Sequence, residues 1–297
     1  MNISASSYPV ALVGAGPGNP GLLTLRAAEL LAQADLVLYD RLVPVALLDR
    51  HVAPSARRIA VDALHGTHPE RWAEVYQLMI DAARQGQRVV RLKGGDPFLF
   101  GRGGDEAEVL RQAGVAYEVV PGVTAALGAG AFAGIPLTHR RLASAVAFVT
   151  GHENPDKTDG FLDWAALARF PGTLVIYMGV SHLPHIVGTL IDHGKSAETP
   201  AAAVHWATTG RQRTVTAALG DLPEAMRRAN LKAPSLVIIG PVVSLRDELA
   251  WFEARPLLGR RVLVTRPRHQ AADMTARLEE LGAVVSLLPT VEVREPA

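Results

Sequence analysis

Short apolar runs alternate with longer stretches whose apolar residues recur at helical spacing through the first half of the chain. Val10-Ala11-Leu12-Val13, Leu36-Val37-Leu38-Tyr39, Ile59-Ala60-Val61, Val89-Val90-Arg91-Leu92 and Tyr117-Glu118-Val119-Val120 read as strands. Thr24 is a helix N-cap residue, and Leu25, Ala28, Leu31 and Ala32 follow it on one face. Trp72, Val75, Leu78, Met79 and Ala82 predict a helix from Arg71 to Arg84, which Gly86 ends. Asp105 and Glu106 form an acidic first turn for a helix running through Glu108-Val109-Leu110. Strands and helices alternating at these lengths predict an α/β fold with a parallel sheet. The second half opens with a small-residue helix from Ala125 to Ala133. Strands are expected at Ala145–Val149, Thr173–Met178, Pro200–His205, Arg213–Ala217 and Ser235–Ile239. Two strands there follow each other without an intervening helix, as in a mixed sheet.

This pattern divides the chain into an N-terminal α/β domain over 8–125 and a C-terminal one over 126–253. A linker over 254–260 is punctuated by Pro256 and Gly259. Residues 261–297 start again: Val262–Thr265 is a strand, Ala271–Leu281 a helix and Val284–Leu288 a strand. About 40 residues is below the size at which a domain folds alone. The segment is therefore expected to be mobile, or held only by opportunistic contacts.

With 297 residues, 48% of them hydrophobic, and a mean hydropathy of +0.16, the chain has material for sizeable cores. No apolar run approaches the ~20 residues a membrane span needs, and Met1–Ser7 lacks the basic-then-apolar order of a signal peptide. The absence of cysteine excludes disulfides, cysteine zinc sites and a cysteine nucleophile, and fits a cytoplasmic protein. A net charge of +1 gives no pull toward nucleic acid. The basic residues are mostly arginine, which suits bidentate capture of carboxylates or reflects a GC-rich genome.

Candidate chemistry concentrates in Lys93-Gly94-Gly95-Asp96-Pro97-Phe98-Leu99-Phe100-Gly101-Arg102, which leaves a strand through a glycine pair. Without a Cβ, the backbone there can approach a ligand closely, and parallel sheets bind ligands at the carboxyl ends of their strands. The plainer alternative is an ordinary βα turn. Gly14-Ala15-Gly16-Pro17-Gly18 invites a dinucleotide reading, with Asp40 in the place of the ribose-binding acid. Asn19 stands where the third glycine belongs, however, and Pro17 and Pro20 lengthen the loop. Asp40, at a strand's carboxyl end, is either a general base or an exposed acid paired to Arg41. His139, Arg140 and Arg141 either meet substrate carboxylates or form a solvated basic corner. His182-x-x-His185 has the spacing of a metal pair without an evident third ligand, so no metal is expected.

The Lys93–Arg102 stretch resembles a signature of the tetrapyrrole methylases, and within them of the uroporphyrinogen-III C-methyltransferases. The same family pattern is met by the Gly14–Gly18 loop, by Tyr39-Asp40-Arg41-Leu42-Val43, by Pro121-Gly122-Val123-Thr124-Ala125-Ala126 and by Gly134-Ile135-Pro136-Leu137-Thr138-His139-Arg140. Phe148-Val149-Thr150-Gly151-His152, Tyr177-Met178-Gly179, Gly66 and His68 match as well, so the resemblance runs from about Val10 to Phe252. It implies two α/β domains, the first sheet mainly parallel and the second mixed, with an active-site cleft between them. It implies methyl transfer from S-adenosylmethionine, released as S-adenosylhomocysteine, to C2 and C7 of uroporphyrinogen III. It assigns Asp40 as base. Pro17, Gly94, Gly95, Asp96, Leu99, Thr124, Ala125, Met178 and Ala207 fall to the cofactor, and Arg41, His68, Arg102, His139 and Arg140 to the tetrapyrrole. A homodimer is implied, with no nucleic-acid or membrane partner.

The sequence departs from the family pattern after the third strand. Asp62-Ala63-Leu64 stands where the family usually has Gly-Lys-Arg, and Trp72 and Tyr76 stand at the positions of a glutamine and an asparagine. Leu257–Pro267 in the tail resembles the start of uroporphyrinogen-III synthase.

Overall fold

The computed structural model describes residues 8–64, 68–152 and 161–291, with residues 68, 69, 268 and 269 described by backbone alone. The chain divides into two compact units between Gly128 and Ala129. In the first, β1 (Val10–Gly14), β2 (Leu36–Tyr39), β3 (Arg57–Ala60), β4 (Val89–Lys93) and β5 (Tyr117–Val120) form one parallel sheet in the order β3-β2-β4-β1-β5. Its inner strands β1, β2 and β4 are buried on both faces, which is why they read as nearly continuous apolar runs. Ala11, Val13, Val37, Val90 and Leu92 pack on one face with Ala27 and Leu31 of the helix Leu25–Gln33 and with Leu47 and Leu48. Val10, Leu12, Leu38 and Val89 pack on the other with Val75 and Met79 of the helix His68–Arg84 and Leu110 of the helix Gly103–Gln112.

The expected cap is present: Thr24 Oγ1 accepts the Ala27 N–H at 3.2 Å. The third strand begins earlier than its apolar residues indicate. Arg57 N–H donates to Asp35 O at 2.9 Å, starting the pairing at a charged residue, and Val61 bends into the 3-10 turn Val61–Ala63. The helix Val45–His51 was not anticipated, because its seven residues are too few to show a period and its N-cap, Pro44, has no side-chain cap bond.

The second unit holds β6 (Val146–Thr150), β7 (Thr173–Tyr177), β8 (Pro200–His205), β9 (Arg213–Ala218) and β10 (Ser235–Ile239) in the order β6-β7-β10-β8-β9. β6 and β7 are parallel, and the other pairs are antiparallel, giving the mixed sheet expected. Its core joins Leu174, Ile176, Ala201, Ala203 and Val237 to Ile186 and Leu190 of the helix Leu183–Asp192.

Beyond this sheet, β11 (Arg261–Val264) and β12 (Val284–Leu287) pair in parallel, joined by the helix Arg268–Glu280. Val264, Ala271 and Ala283 are buried, whereas Leu263, Leu288 and Val291 stay exposed, as expected of a sheet of two strands. The segment makes contacts within its unit. Gly259 N–H donates to Gly210 O at 2.9 Å, and Leu257 N–H to Leu281 O at 2.9 Å. A Cβ on Gly210 would stand 2.7 Å from Gly282 O. No helix among the described residues is long and apolar enough to cross a membrane.

Candidate active site

The motif-bearing loops of the first unit meet at the carboxyl ends of β1, β4 and β5. Ala15 N–H donates to Lys93 O at 2.8 Å and Gly95 N–H to Gly16 O at 2.8 Å. The approach is close enough to require glycine. A Cβ on Gly122 would lie 2.0 Å from Gly95 O and 2.8 Å from Gly14 Cα. Gly95 itself has φ +68°, a left-handed conformation that a side chain would strain. The Asp96 carboxylate locks the junction: Oδ1 accepts the Phe98 N–H at 2.9 Å and Oδ2 the Gly122 N–H at 3.0 Å. Asp96 thus spends one oxygen on its own loop and the other on tying the β4 loop to the β5 loop.

The same geometry gathers most of the cofactor residues named from sequence. An ideal Cβ on Gly95 would sit 3.7 Å from Thr124 Cα and 3.6 Å from Ala125 N. Gly94, Leu99, Ala125 and Pro17 are half-buried, and Thr124 is buried. A small, weakly polar surface with open glycine backbone fits an adenosine-bearing ligand. It does not suit a pyrophosphate on a helix N-terminus. After β1 the chain first makes the 3-10 turn Pro20–Leu22, capped by Asn19 Oδ1 from the Gly21 N–H at 2.8 Å, and the helix starts only at Leu25. The dinucleotide alternative is discarded on that ground.

Beside the glycine junction lies a charged cluster that the sequence reading did not find. Arg91 and Lys93 point from β4 toward the helix-bearing face of Val89, and both are fully buried. Arg91 Nε donates to Glu106 Oε1 at 2.9 Å, and Lys93 Nζ to the same oxygen at 2.7 Å. Glu106 is also fully buried, and its second oxygen has no hydrogen-bond partner among the described residues. Arg91 Nη2 reaches across to Asp40 Oδ1, closing a chain of charges from the buried centre to a carboxylate whose side chain is 31% exposed. Burial opposes the Arg91 charge, but the carboxylates of Asp40 and Glu106 outweigh it, so the guanidinium is held above its ordinary pKa. Lys93 goes the other way: burial and then the Arg91 charge lower its pKa despite Glu106.

Asp40 therefore pairs with Arg91 rather than with Arg41, which corrects the surface alternative. Arg41 is exposed, and its backbone N–H donates to Asp62 Oδ2 at 3.0 Å. A pattern that would have pointed to the cluster was present in the sequence. Arg91 and Lys93 share one face of a central strand, and an acid stands in the first turn of the next helix.

The remaining residues named from sequence are distributed as follows. Arg102 caps the helix Gly103–Gln112 at φ 59°, with Nε bound to Asp105 Oδ2 at 3.0 Å. His68 opens its helix, but its side chain, and all of Gly66, lie outside the described residues. In the second unit Met178 follows β7 at φ 55° with half of its surface exposed. Ala207 lies between two left-handed residues, Trp206 at φ 45° and Thr208 at φ 68°. Gln212, unforeseen from sequence, braces that loop. Its Oε1 accepts the Thr208 N–H at 2.7 Å, and its Nε2 donates to Glu253 Oε1 at 2.9 Å and Phe132 O at 3.0 Å. His139 turns the chain, its Nδ1 accepting the Arg141 N–H at 3.3 Å, and Arg140 is exposed. Both His182 and His185 are exposed, and no group of three or more histidines and carboxylates among the described residues could hold a metal ion.

Comparison with known proteins bears on the family and the fold. Residues 9–223 match the family described as tetrapyrrole (corrin/porphyrin) methylases. A siroheme synthase of Chromobacterium violaceum is 53% identical over 243 residues, covering 82% of this chain and 51% of the relative. One from Pseudomonas putida is 52% identical over 82% of this chain and 52% of its own length. The chain thus spans about half the length of the curated relatives it matches. Among solved structures, the uroporphyrin-III C-methyl transferase of Thermus thermophilus complexed with S-adenyl homocysteine is 41% identical, with a TM-score of 0.66 over 80% of this chain and 99% of that one. A cobalt precorrin-4 methyltransferase of cobalamin biosynthesis is 30% identical, with a TM-score of 0.71 over 79% of this chain and 95% of that one. With its glycine junction, its mixed second sheet and a family match over most of its length, the chain belongs to the tetrapyrrole methylases.

Proposed function

We propose that this chain transfers methyl groups from S-adenosylmethionine to C2 and C7 of uroporphyrinogen III, giving precorrin-2 and S-adenosylhomocysteine. The observation that carries the reading is a partly exposed carboxylate, Asp40, anchored on a fully buried guanidinium, Arg91, beside the glycine junction. When bound, S-adenosylmethionine supplies a methyl carbon activated by its sulfonium toward an electron-rich pyrrole carbon. Such a transfer depends above all on alignment. The residues that the family resemblance assigns to the cofactor are Pro17, Gly94, Gly95, Asp96, Leu99, Thr124, Ala125, Met178 and Ala207. After carbon–carbon bond formation the macrocycle must lose a proton, and Asp40 Oδ2 accepts it while Arg91 fixes Oδ1. Arg41, His68, Arg102, His139 and Arg140 meet the carboxylates of the tetrapyrrole.

The siroheme synthase relatives support a place on the route to sirohaem; a homodimer in the cytoplasm is what the family resemblance implies. The segment from Arg261 onward is read as the opening part of a uroporphyrinogen-III synthase-like domain, which would join consecutive reactions in one chain. A second reading, a homologue that binds tetrapyrrole or cofactor with little turnover, is favoured by Asp62-Ala63-Leu64, where the family pattern carries a lysine and an arginine. Incubation with uroporphyrinogen III and S-adenosylmethionine under reducing, oxygen-free conditions, followed by mass analysis, separates the two. Two added methyl groups support the transferase. An unchanged macrocycle, with S-adenosylhomocysteine still bound by calorimetry, supports the binder.

A further inference from the structure

Three cations face one indole. Trp72 lies on the helix His68–Arg84, and its ring centroid is 4.7 Å from the guanidinium carbon of Arg102, 5.6 Å from that of Arg91 and 5.6 Å from Lys93 Nζ. Arg91 and Lys93 are buried and already bound to Glu106. Arg102 differs: its side chain is 41% exposed. It is held from two directions, by the indole and by Asp105 through Nε, on a backbone in the left-handed region. Among the described residues its terminal nitrogens, Nη1 and Nη2, make no hydrogen bond.

An arginine on a surface gives up considerable rotamer freedom when it binds an anion. A guanidinium stacked on an aromatic face loses that freedom beforehand, and its planar fork stays matched to a carboxylate. Trp72 is itself set against a second ring, Tyr76, at 6.3 Å and a 34° tilt.

We propose that Trp72 is a positioning residue for the tetrapyrrole. Its indole holds the Arg102 guanidinium so that the terminal nitrogens present to a substrate carboxylate, and it thereby sets the KM for the macrocycle. The inference rests on the reading in which Arg102 meets such a carboxylate.

The test is steady-state methyl transfer by the full chain with uroporphyrinogen III varied, alongside calorimetric titration of S-adenosylhomocysteine. Trp72→Leu is expected to raise KM about 3- to 30-fold, the range that loss of a cation–π contact spans, with a smaller change in kcat and an unchanged cofactor Kd. Trp72→Phe should recover most of the loss, because it restores a π face. Arg102→Leu should raise KM too, and adding Trp72→Leu to it should raise KM little further. If Arg102→Leu leaves KM unchanged, the substrate contact of Arg102 is wrong and the inference loses its premise. If Arg102→Leu raises KM while Trp72→Leu does not, or if the two effects simply multiply, the positioning role is overturned and the substrate contact stands. Should Trp72→Leu fail to fold by circular dichroism, Trp72→Met and Arg102→Leu carry the test. Each alone should raise KM, and the pair by less than the product, whereas a full product contradicts the proposal.

Discussion

The two five-stranded sheets spend their buried centres differently. In the first unit, the central strand β4 and the helix after it bury Arg91, Lys93 and Glu106 without exposure. In the second, the central strand β10 buries Leu236, Val237, Ile238 and Ile239, and the polar cluster of Gln212, Arg246 and Glu253 sits off the sheet. Buried ions cost desolvation that their mutual attraction offsets only when geometry and hydrogen bonds are good. An apolar centre would stabilise the first sheet at least as well, so stability does not account for the charges. What they do is fix one oxygen of Asp40 while leaving its carboxylate in reach of solvent. On this account, the first unit carries proton chemistry on a charged centre, and the second is an apolar frame for the loops bearing Met178 and Ala207.

Removing charge from the first centre should cost more than removing methyl groups from the second. Glu106→Gln leaves Arg91 and Lys93 buried without a full countercharge, and a loss of about 3–5 kcal/mol is expected. Trp72 is the one tryptophan in residues 1–128, so its fluorescence during urea unfolding reads this unit. Ile176→Ala, in the second core, should cost about 3 kcal/mol through the cavity it leaves, read by Trp164, which packs in that core. A smaller cost for Glu106→Gln than for Ile176→Ala would break the contrast.

Gln212→Ala comes next, at about 1–3 kcal/mol, because it removes the bonds to the Thr208 N–H and the Phe132 carbonyl, while Glu253 Oε1 keeps the Thr214 hydroxyl. If the loop bearing Ala207 holds the cofactor, S-adenosylhomocysteine should also bind more weakly, by calorimetry. An unchanged Kd would detach that loop from the cofactor.

The smallest effect expected is on pH dependence. Lys93 has a lowered pKa in the folded chain, from burial first and Arg91 second. Between that value and the ordinary lysine value, the unfolded state binds more protons than the folded state. Stability contributed by this group therefore rises with pH across that window. Lys93→Met should flatten the rise, measured as unfolding free energy at neutral pH and at about pH 9.5, just below the ordinary lysine pKa. A slope unchanged by Lys93→Met would assign the titration elsewhere.

Much of the fold was legible because its physics is local. Strands buried on both faces show as apolar runs, and a capped amphipathic helix shows its period, as Thr24 and the positions from Trp72 to Ala82 did. The short helix Val45–His51 gave no such signal. What stayed hidden in the site was nonlocal. The contact of Gly14 with Gly122 joins residues more than a hundred positions apart, and no window along the chain contains it. Asp96 read as a turn residue facing a ligand, yet its second oxygen goes to Gly122. In the sequence Arg91 reads as part of a strand, Lys93 as the head of the glycine loop and Glu106 as favouring a helix dipole, because only the folded register brings the three together.

The central claim, that Asp40 does proton chemistry and not cofactor binding, is tested most directly by one paired measurement on Asp40→Asn. Methyl transfer to uroporphyrinogen III is followed from acid to alkaline pH, and S-adenosylhomocysteine affinity is measured on the same preparation. The account predicts turnover lowered by about 100-fold or more, the contribution expected of a positioned general base, with a cofactor Kd close to that of the parent chain. Turnover retained at every pH, or lost only in proportion to cofactor affinity, would contradict it.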